Sequence, residues 1–294
     1  TTTSRDALHD LSELKMVIDA RHGGANDLND FLRKAHFIDY EGTRAMIEAH
    51  RVNVPRSTGV IQWMLNSAWP GLYWQMYDWY LVPVSSYWSV KRGCNPQQLI
   101  FNYADKKVYA VNDEKEDMSL MARMKMYDLN GNIVNEKEAK VEMTKGCSVA
   151  VFDIEKVEKI GFLFLSLTDK KGKVIARNEY CLAEQEDKHD WAKYRWWRTQ
   201  MESYADFSPM NELAPADVIK TVRQKGDKVI VTLENQSKVV ALQIRADLKD
   251  ASGEIVVPAY WNDNMVTLAP GESMTLICSC PSGVPEGMNV SLTG

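Results

Sequence analysis

Apolar residues recur along this chain with two periods, and the change falls near residue 96. Before it the spacing is helical. Leu8, Leu11, Leu14 and Ile18 in RDALHDLSELKMVIDA (residues 5–20) lie three and four apart, one stripe of a helix. His22-Gly23-Gly24-Ala25 follows, where glycine can supply a left-handed cap. A second helix is predicted over about 27–51. Leu28, Phe31, Leu32, Ala35, Ile38, Ala45, Met46 and Ala49 line one face, and Asp27 and Asp30 suit the positive end of its dipole. GVIQWML (59–65) is a short, mostly apolar run of the kind buried on both faces in a parallel sheet. A loop carrying Asn66, Trp69 and Pro70 comes next, then a last helix near 85–92. Helix, loop, buried strand, loop is part of an α/β repeat.

Beyond residue 96 the runs are strand-like. QLIFNY, KKVYAVN, MSLMARMKMYD, CSVAVFDI, GFLFLSLTD and VIARNEYCLA alternate or run apolar, split by turn signals at Asn130-Gly131-Asn132 and Lys170-Lys171-Gly172-Lys173. That spacing predicts an immunoglobulin-type β-sandwich over 96–185. A polar, aromatic connector (186–217) with Trp191, Trp196 and Trp197 lacks strong periodicity, and its rings are expected to hold neighbouring domains together. A second, smaller sandwich follows over 218–294. Residues 1–95 thus form an α/β segment, and no internal repeat or low-complexity stretch interrupts the order.

Composition narrows the function classes. At 294 residues the chain has room for two or three domains, and its net charge of −5 provides no basic field for nucleic acid. No apolar run approaches the roughly 18–20 residues of a membrane span. TTTSRDALHDLSELKM shows no signal peptide, which decides little if the chain starts within a longer protein. Five cysteines without a CxxC pair are expected as buried thiols, with no metal and no cofactor.

The chemistry concentrates in GVIQWMLNSAWPGLYWQMYDWY (59–80), which holds four of the nine tryptophans. Aromatic faces pack on the apolar face of a pyranose, and amides hydrogen-bond its hydroxyls. Trp63, Asn66 and Trp69 stand at the C-terminal end of the predicted strand, the side on which α/β barrels carry active sites. Trp74, Trp79 and Tyr80 are expected as packing. A glycosidase also needs two carboxylates, roughly 5–5.5 Å apart for retention or about 6.5–9.5 Å for inversion. The three Asn-Glu pairs, Asn135-Glu136, Asn178-Glu179 and Asn211-Glu212, fall on a strand edge, a sandwich strand and the connector. None follows a buried parallel strand. The five histidines are scattered, and no phosphate loop occurs. A (β/α)8 barrel needs roughly 200 residues or more, so the first 95 cannot close one alone.

NDLNDFLRKAHFIDYEGTRAMIEAH followed by TGVIQWMLNSAWPGLYWQMYDWY resembles the last helix and eighth strand of family 2 glycoside hydrolases. The W-M-L-N-S-x-W-P core is the specific part. SSYWSVKRGCNPQQLIFNY and the later PAYWNDNMVTLAPGESMTL, with Trp261, Asp263, Asn264, Pro270, Gly271 and Glu272, extend the likeness to the chain's end. The resemblance is to exo-β-D-glucosaminidases and endo-β-mannosidases, with β-mannosidases more distant. Ser67-Ala68-Trp69-Pro70 stands where β-mannosidases tend to have an Asp-Cys-Trp-Pro-like loop, which favours the glucosaminidase-like side. The resemblance implies the C-terminal end of a TIM barrel followed by two immunoglobulin-like sandwiches. It implies a retaining β-glycosidase whose acid/base and nucleophile glutamates lie upstream of Thr1. Trp63 matches the tryptophan that floors the −1 subsite, and Asn66 and Trp69 match rim residues. The expected partners are a β-linked oligosaccharide or glycan and the rest of the parent polypeptide. The expected location is periplasmic or secreted. The chain alone is expected to be inactive and, with apolar faces uncovered, to self-associate. The competing reading is a self-standing carbohydrate-binding or adhesion module that uses its sandwiches.

Overall fold

The computed structural model describes residues 11–66, 68–71, 75–195 and 198–294. Helix α1 (Leu11–His22) ends where Gly23, at φ 71°, turns its N–H back to Asp19 O at 3.1 Å. Residues 5–10 of the predicted helix, with Leu8, lie outside the described residues. Helix α2 (Leu28–Val52) starts at Asp27, whose carboxylate accepts from the Asp30 N–H at 2.9 Å. Helix α3 (Ser85–Gly93) packs against it.

The face that α2 buries is not the predicted one. Leu28, Leu32 and Met46 are exposed, whereas Lys34, Phe37, Tyr40, Arg44, Ile47, Glu48 and Arg51 are buried. The physical reason lies across the interface. The first sandwich meets α2 with Asn178, Glu179 O and Tyr180, so Arg44 and Glu48 turn inward, where they find partners. The predicted parallel strand at 59–65 also fails. Ile61 is 96% exposed and Trp63 72%, and no ladder forms there. A strand needs a neighbour to take its backbone hydrogen bonds along its length, and among the described residues the ladder here is reduced to an isolated Asn66–Tyr77 bridge at the segment's end. The described chain therefore contains β-sandwich sheets and three α-helices, and no barrel wall.

The first sandwich pairs two antiparallel sheets. Strands β1 (Gln97–Asn102) and β2 (Lys107–Asn112) join β5 (Cys147–Asp153), while β3 (Met118–Tyr127), β4 (Ile133–Met143), β6 (Ile160–Thr168) and β7 (Val174–Ala183) run in the order β4-β3-β6-β7. Alternate residues of β3, Leu120, Ala122, Met124 and Met126, face inward against Leu163, Leu165 and Tyr180. In the β3–β4 turn, Asp128 accepts from the Asn130 and Asn132 N–H groups, and Gly131 takes φ 77°. A Cβ on Gly131 would stand 1.7 Å from Lys238 O, so this turn abuts the second sandwich.

The connector, featureless by periodicity, forms a hairpin of β8 (Lys188–Arg195) and β9 (Arg198–Ser203) and then a 3₁₀ turn at Ser208–Glu212. Trp196 and Trp197 lie outside the described residues. Trp191 is 69% exposed; among the described connector residues, Phe207 packs on the helices, 5.3 Å from Phe37 and 5.7 Å from His22. The second sandwich sets β10 (Val218–Lys225), β11 (Lys228–Asn235), β13 (Tyr260–Trp261) and β15 (Ser273–Ser279) against β12 (Ala241–Lys249), β14 (Val266–Leu268) and β16 (Asn289–Thr293). Val229, Val231, Ala246, Leu276 and Val290 form its core. Three cysteines are buried as expected, but Cys94 and Cys147 are exposed. No helix among the described residues is long and apolar enough to cross a membrane.

Candidate functional site

The 63–84 segment folds back on itself through its backbone. Leu65 O accepts from the Met76 and Tyr77 N–H groups at 3.0 and 2.9 Å, and Met76 O accepts from the Val84 N–H at 3.0 Å. The Asp78 carboxylate takes the Val82 N–H, which ties off the end of the loop. The Trp63–Met64 peptide is cis. On this frame Trp63, Asn66 and Trp69 all reach solvent, with Trp69 64% exposed. Two rings assigned to packing are also outside: Trp79 is 47% and Tyr80 72% exposed. Met76 and Val82 fill the interior of the segment instead, because their backbone bonds turn them inward. Trp74 lies outside the described residues.

Helix α3 carries this wall. Its Ser86 hydroxyl donates to Gln75 O at 3.2 Å, and its Tyr87 ring lies 5.0 Å from Tyr77. Asp39 of α2 fixes the start of α3 by accepting from the Ser85 hydroxyl and the Ser86 N–H. No Asn-Glu pair comes near. Glu136 pairs with Lys125 at 3.1 Å on the surface, and Asn211 donates to His22 O at 2.7 Å. Asn178-Glu179 lies in the interior.

That interior holds several buried charged groups. Arg44, with no exposure, donates to Glu41 and to Glu179 O, lies 3.7 Å from Glu48, and stacks 3.9 Å from the Tyr180 ring centre. Burial raises the pKa values of Glu41 and Glu48, partly offset by Arg44. Burial acts the same way on Glu179, but Arg177 and Arg92 outweigh it and hold that carboxyl below its ordinary value. Shifted carboxylates of this kind mark many catalytic centres. Here the carboxylates are taken by protein: Asn178 and Tyr180 bond Glu48, and Arg92 and Arg177 bond Glu179. No substrate can reach them. The cluster joins helices to sandwiches, and sequence reasoning missed it; its one sequence signal was the Arg-Asn-Glu-Tyr run at 177–180 in an otherwise apolar strand.

A cleft of about 640 Å³ lies elsewhere, between the first sandwich, the connector and Val239, lined by Met126, Asn135, Lys156, Glu158 and Glu212 among others. No aromatic ring lines it, so it lacks the stacking surface a sugar requires. Among the described residues no cluster of three His, Cys, Asp or Glu side chains is arranged to hold a metal ion.

Comparison with known proteins gives the two sandwiches separate matches. Residues 105–185 match the Mannosidase Ig/CBM-like domain, and residues 196–294 match the Exo-β-D-glucosaminidase Ig-fold domain. The exo-β-D-glucosaminidase of Arthroderma benhamiae is 36% identical over 281 residues, covering 92% of this chain and 32% of that enzyme. The structure superposes on Amycolatopsis orientalis exo-chitosanase CsxA in complex with PNP-β-D-glucosamine, with a TM-score of 0.88, 28% identity, and coverage of 96% of this chain and 35% of that one. The two sandwiches are similar to the immunoglobulin-like domains of exo-β-D-glucosaminidases and β-mannosidases. A β-D-mannosidase from Dictyoglomus thermophilum shares the fold at TM-score 0.73 and 21% identity, over 95% of this chain and 32% of that one. The chain spans about a third of the length of the curated relatives it matches.

Proposed function

We propose that this chain is the C-terminal part of a retaining β-glycosidase of exo-β-glucosaminidase or β-mannosidase type. The glucosaminidase match across 92% of the chain carries the reading. In it, Trp63, Asn66 and Trp69 form part of the −1 wall of the sugar pocket. Indole faces would pack on the pyranose C–H face while the Asn66 amide meets a hydroxyl. Bond cleavage by double displacement needs one carboxylate to attack the anomeric carbon and another to protonate the leaving oxygen. Both belong to the parent polypeptide outside this chain, and the reaction needs no cofactor. The exposed aliphatic stripe of α2 and the exposed apolar side chains of the 59–65 segment are the surfaces that a barrel in the parent polypeptide would cover. A β-linked glycan substrate fits a periplasmic or secreted location.

Assaying aryl β-glucosaminide and aryl β-mannoside hydrolysis tests the proposal. The 294-residue chain should show no turnover, and a polypeptide extended upstream should show it. Turnover by the chain alone would overturn the assignment of the acid and nucleophile to the missing part.

A second reading, a sugar-binding module, draws on the β8–β9 hairpin. There Trp191 and Tyr194 are exposed, and Trp191 stacks 5.1 Å from His189. Glucosamine titration separates the two: binding lost in Trp191→Ala but kept in Trp63→Ala favours the module.

A further inference from the structure

The WNDN stretch (261–264) and the Pro270-Gly271-Glu272 turn lie in the second sandwich, and nothing in the sugar chemistry uses them. The structure shows that they meet on one line of alternating charges. Asp263 accepts from Arg92 at 2.9 and 3.0 Å, and Arg92 donates to Glu179 at 3.0 Å. Glu179 pairs with Arg177, and Arg177 with Glu272 at 3.0 Å. Both ends are held firmly. Asn264 bonds the Ala246 N–H and C=O at 2.8 Å each, and Glu272 accepts from the Ala269 N–H at 2.9 Å.

Second in this line, next to Asp263, is Arg92, whose side chain is 4% exposed and which also donates to Tyr40 of α2 at 2.7 Å. Beside it, Lys91 donates to Trp261 O at 3.1 Å and stands over the Trp88 ring. The C-terminal end of α3 is therefore gripped by the second sandwich. Its N-terminal end grips the wall, through Ser86 on Gln75 O and Tyr87 against Tyr77. Tyr77 in turn donates its N–H to Leu65 O, next to Asn66.

We infer that Asp263, acting through Arg92 and the rigid α3, is a positioning residue for the Trp63–Tyr77 wall. The last sandwich sets the height and tilt of that wall. The wall's role in sugar binding rests on the function proposed above; the mechanical link does not.

Amide hydrogen exchange on the whole chain, followed by NMR in Asp263→Asn and Asp263→Glu, tests the link. In Asp263→Asn the Met76 and Tyr77 amides should exchange roughly tenfold faster, the size expected for loss of one charge-assisted bond. Val229 and Val231 in β11 should keep their wild-type rates, and Asp263→Glu should recover most of the protection at Met76 and Tyr77. Unchanged rates at Met76 and Tyr77 overturn the inference. An equal rise in β11 does so too, because it marks general loosening. Glucosamine titration of the same samples separates the two proposals: a link confirmed by exchange, with no sugar-dependent shift at Trp63 in wild type, leaves the lever standing and removes the sugar.

Discussion

Burial, with the Arg21, Lys34 and Arg33 charges, pushes the His22 imidazole down to about 4, and its Nε2 has no hydrogen-bond partner. The unfolded chain binds that proton first. The stability His22 contributes is thus present above about pH 6.5 and lost as pH falls toward 4. Urea unfolding at pH 7 and 4.5 should show the wild type losing on the order of 2–3 kcal/mol more than His22→Gln. Equal losses would contradict the account. Glu41 and Glu48 act with the opposite sign: burial raises their pKa values, so the folded state keeps their protons longer. Stability from that source falls as pH rises through their folded values, in both proteins alike. Glu179 makes a different demand. Replacing it with Gln leaves buried Arg92 and half-buried Arg177 without their shared counter-charge, which should cost about 3 kcal/mol in chemical unfolding. A loss near zero would mean that water or Asp263 compensates.

At the scale of elements, the β3–β4 and β6–β7 turns offer a matched pair of substitutions. Gly131 and Gly172 both take left-handed backbone, at φ 77° and 80°, but only Gly131 faces another backbone, Lys238 O. Gly172→Ala should cost about 1 kcal/mol from conformation alone. Gly131→Ala should cost at least about 2 kcal/mol more by thermal unfolding, since the two sandwiches must move apart. Equal costs would show that the contact yields. These elements also show what the sequence could tell. The sandwich strands were legible because one face of each packs within its own sandwich, so period-two runs such as Leu120 to Met126 carry their own signal. The orientation of α2 was not legible, because the partners of Arg44 and Glu48 come from β7, 130 or more residues away. With no knowledge of that contact, an aliphatic stripe reads as the buried side. Trp79 and Tyr80 misled in the same way: ring-rich composition resembles a core, while backbone bonds to Leu65 and Val84 decide which residues turn inward.

For the whole molecule, the two unsatisfied surfaces belong together. The outer stripe of α2 and the extended 59–65 segment both expose apolar side chains, including Leu28, Met46 and Ile61. Apolar exposure of this kind drives association unless covered. Sedimentation of the purified chain should show concentration-dependent self-association, relieved by Ile61→Lys with Met46→Lys. A clean monomer at all concentrations would show that these faces are tolerated in water. The proposed covering is the parent polypeptide, which would place Trp63, Asn66 and Trp69 opposite its two carboxylates. The most direct test of that claim is kcat/KM for an aryl β-glucosaminide in the upstream-extended polypeptide, wild type against Trp63→Ala. The account predicts a loss of about a hundredfold, the share of a ring that must pack on the sugar in the transition state. Wild-type kcat/KM in Trp63→Ala would contradict it.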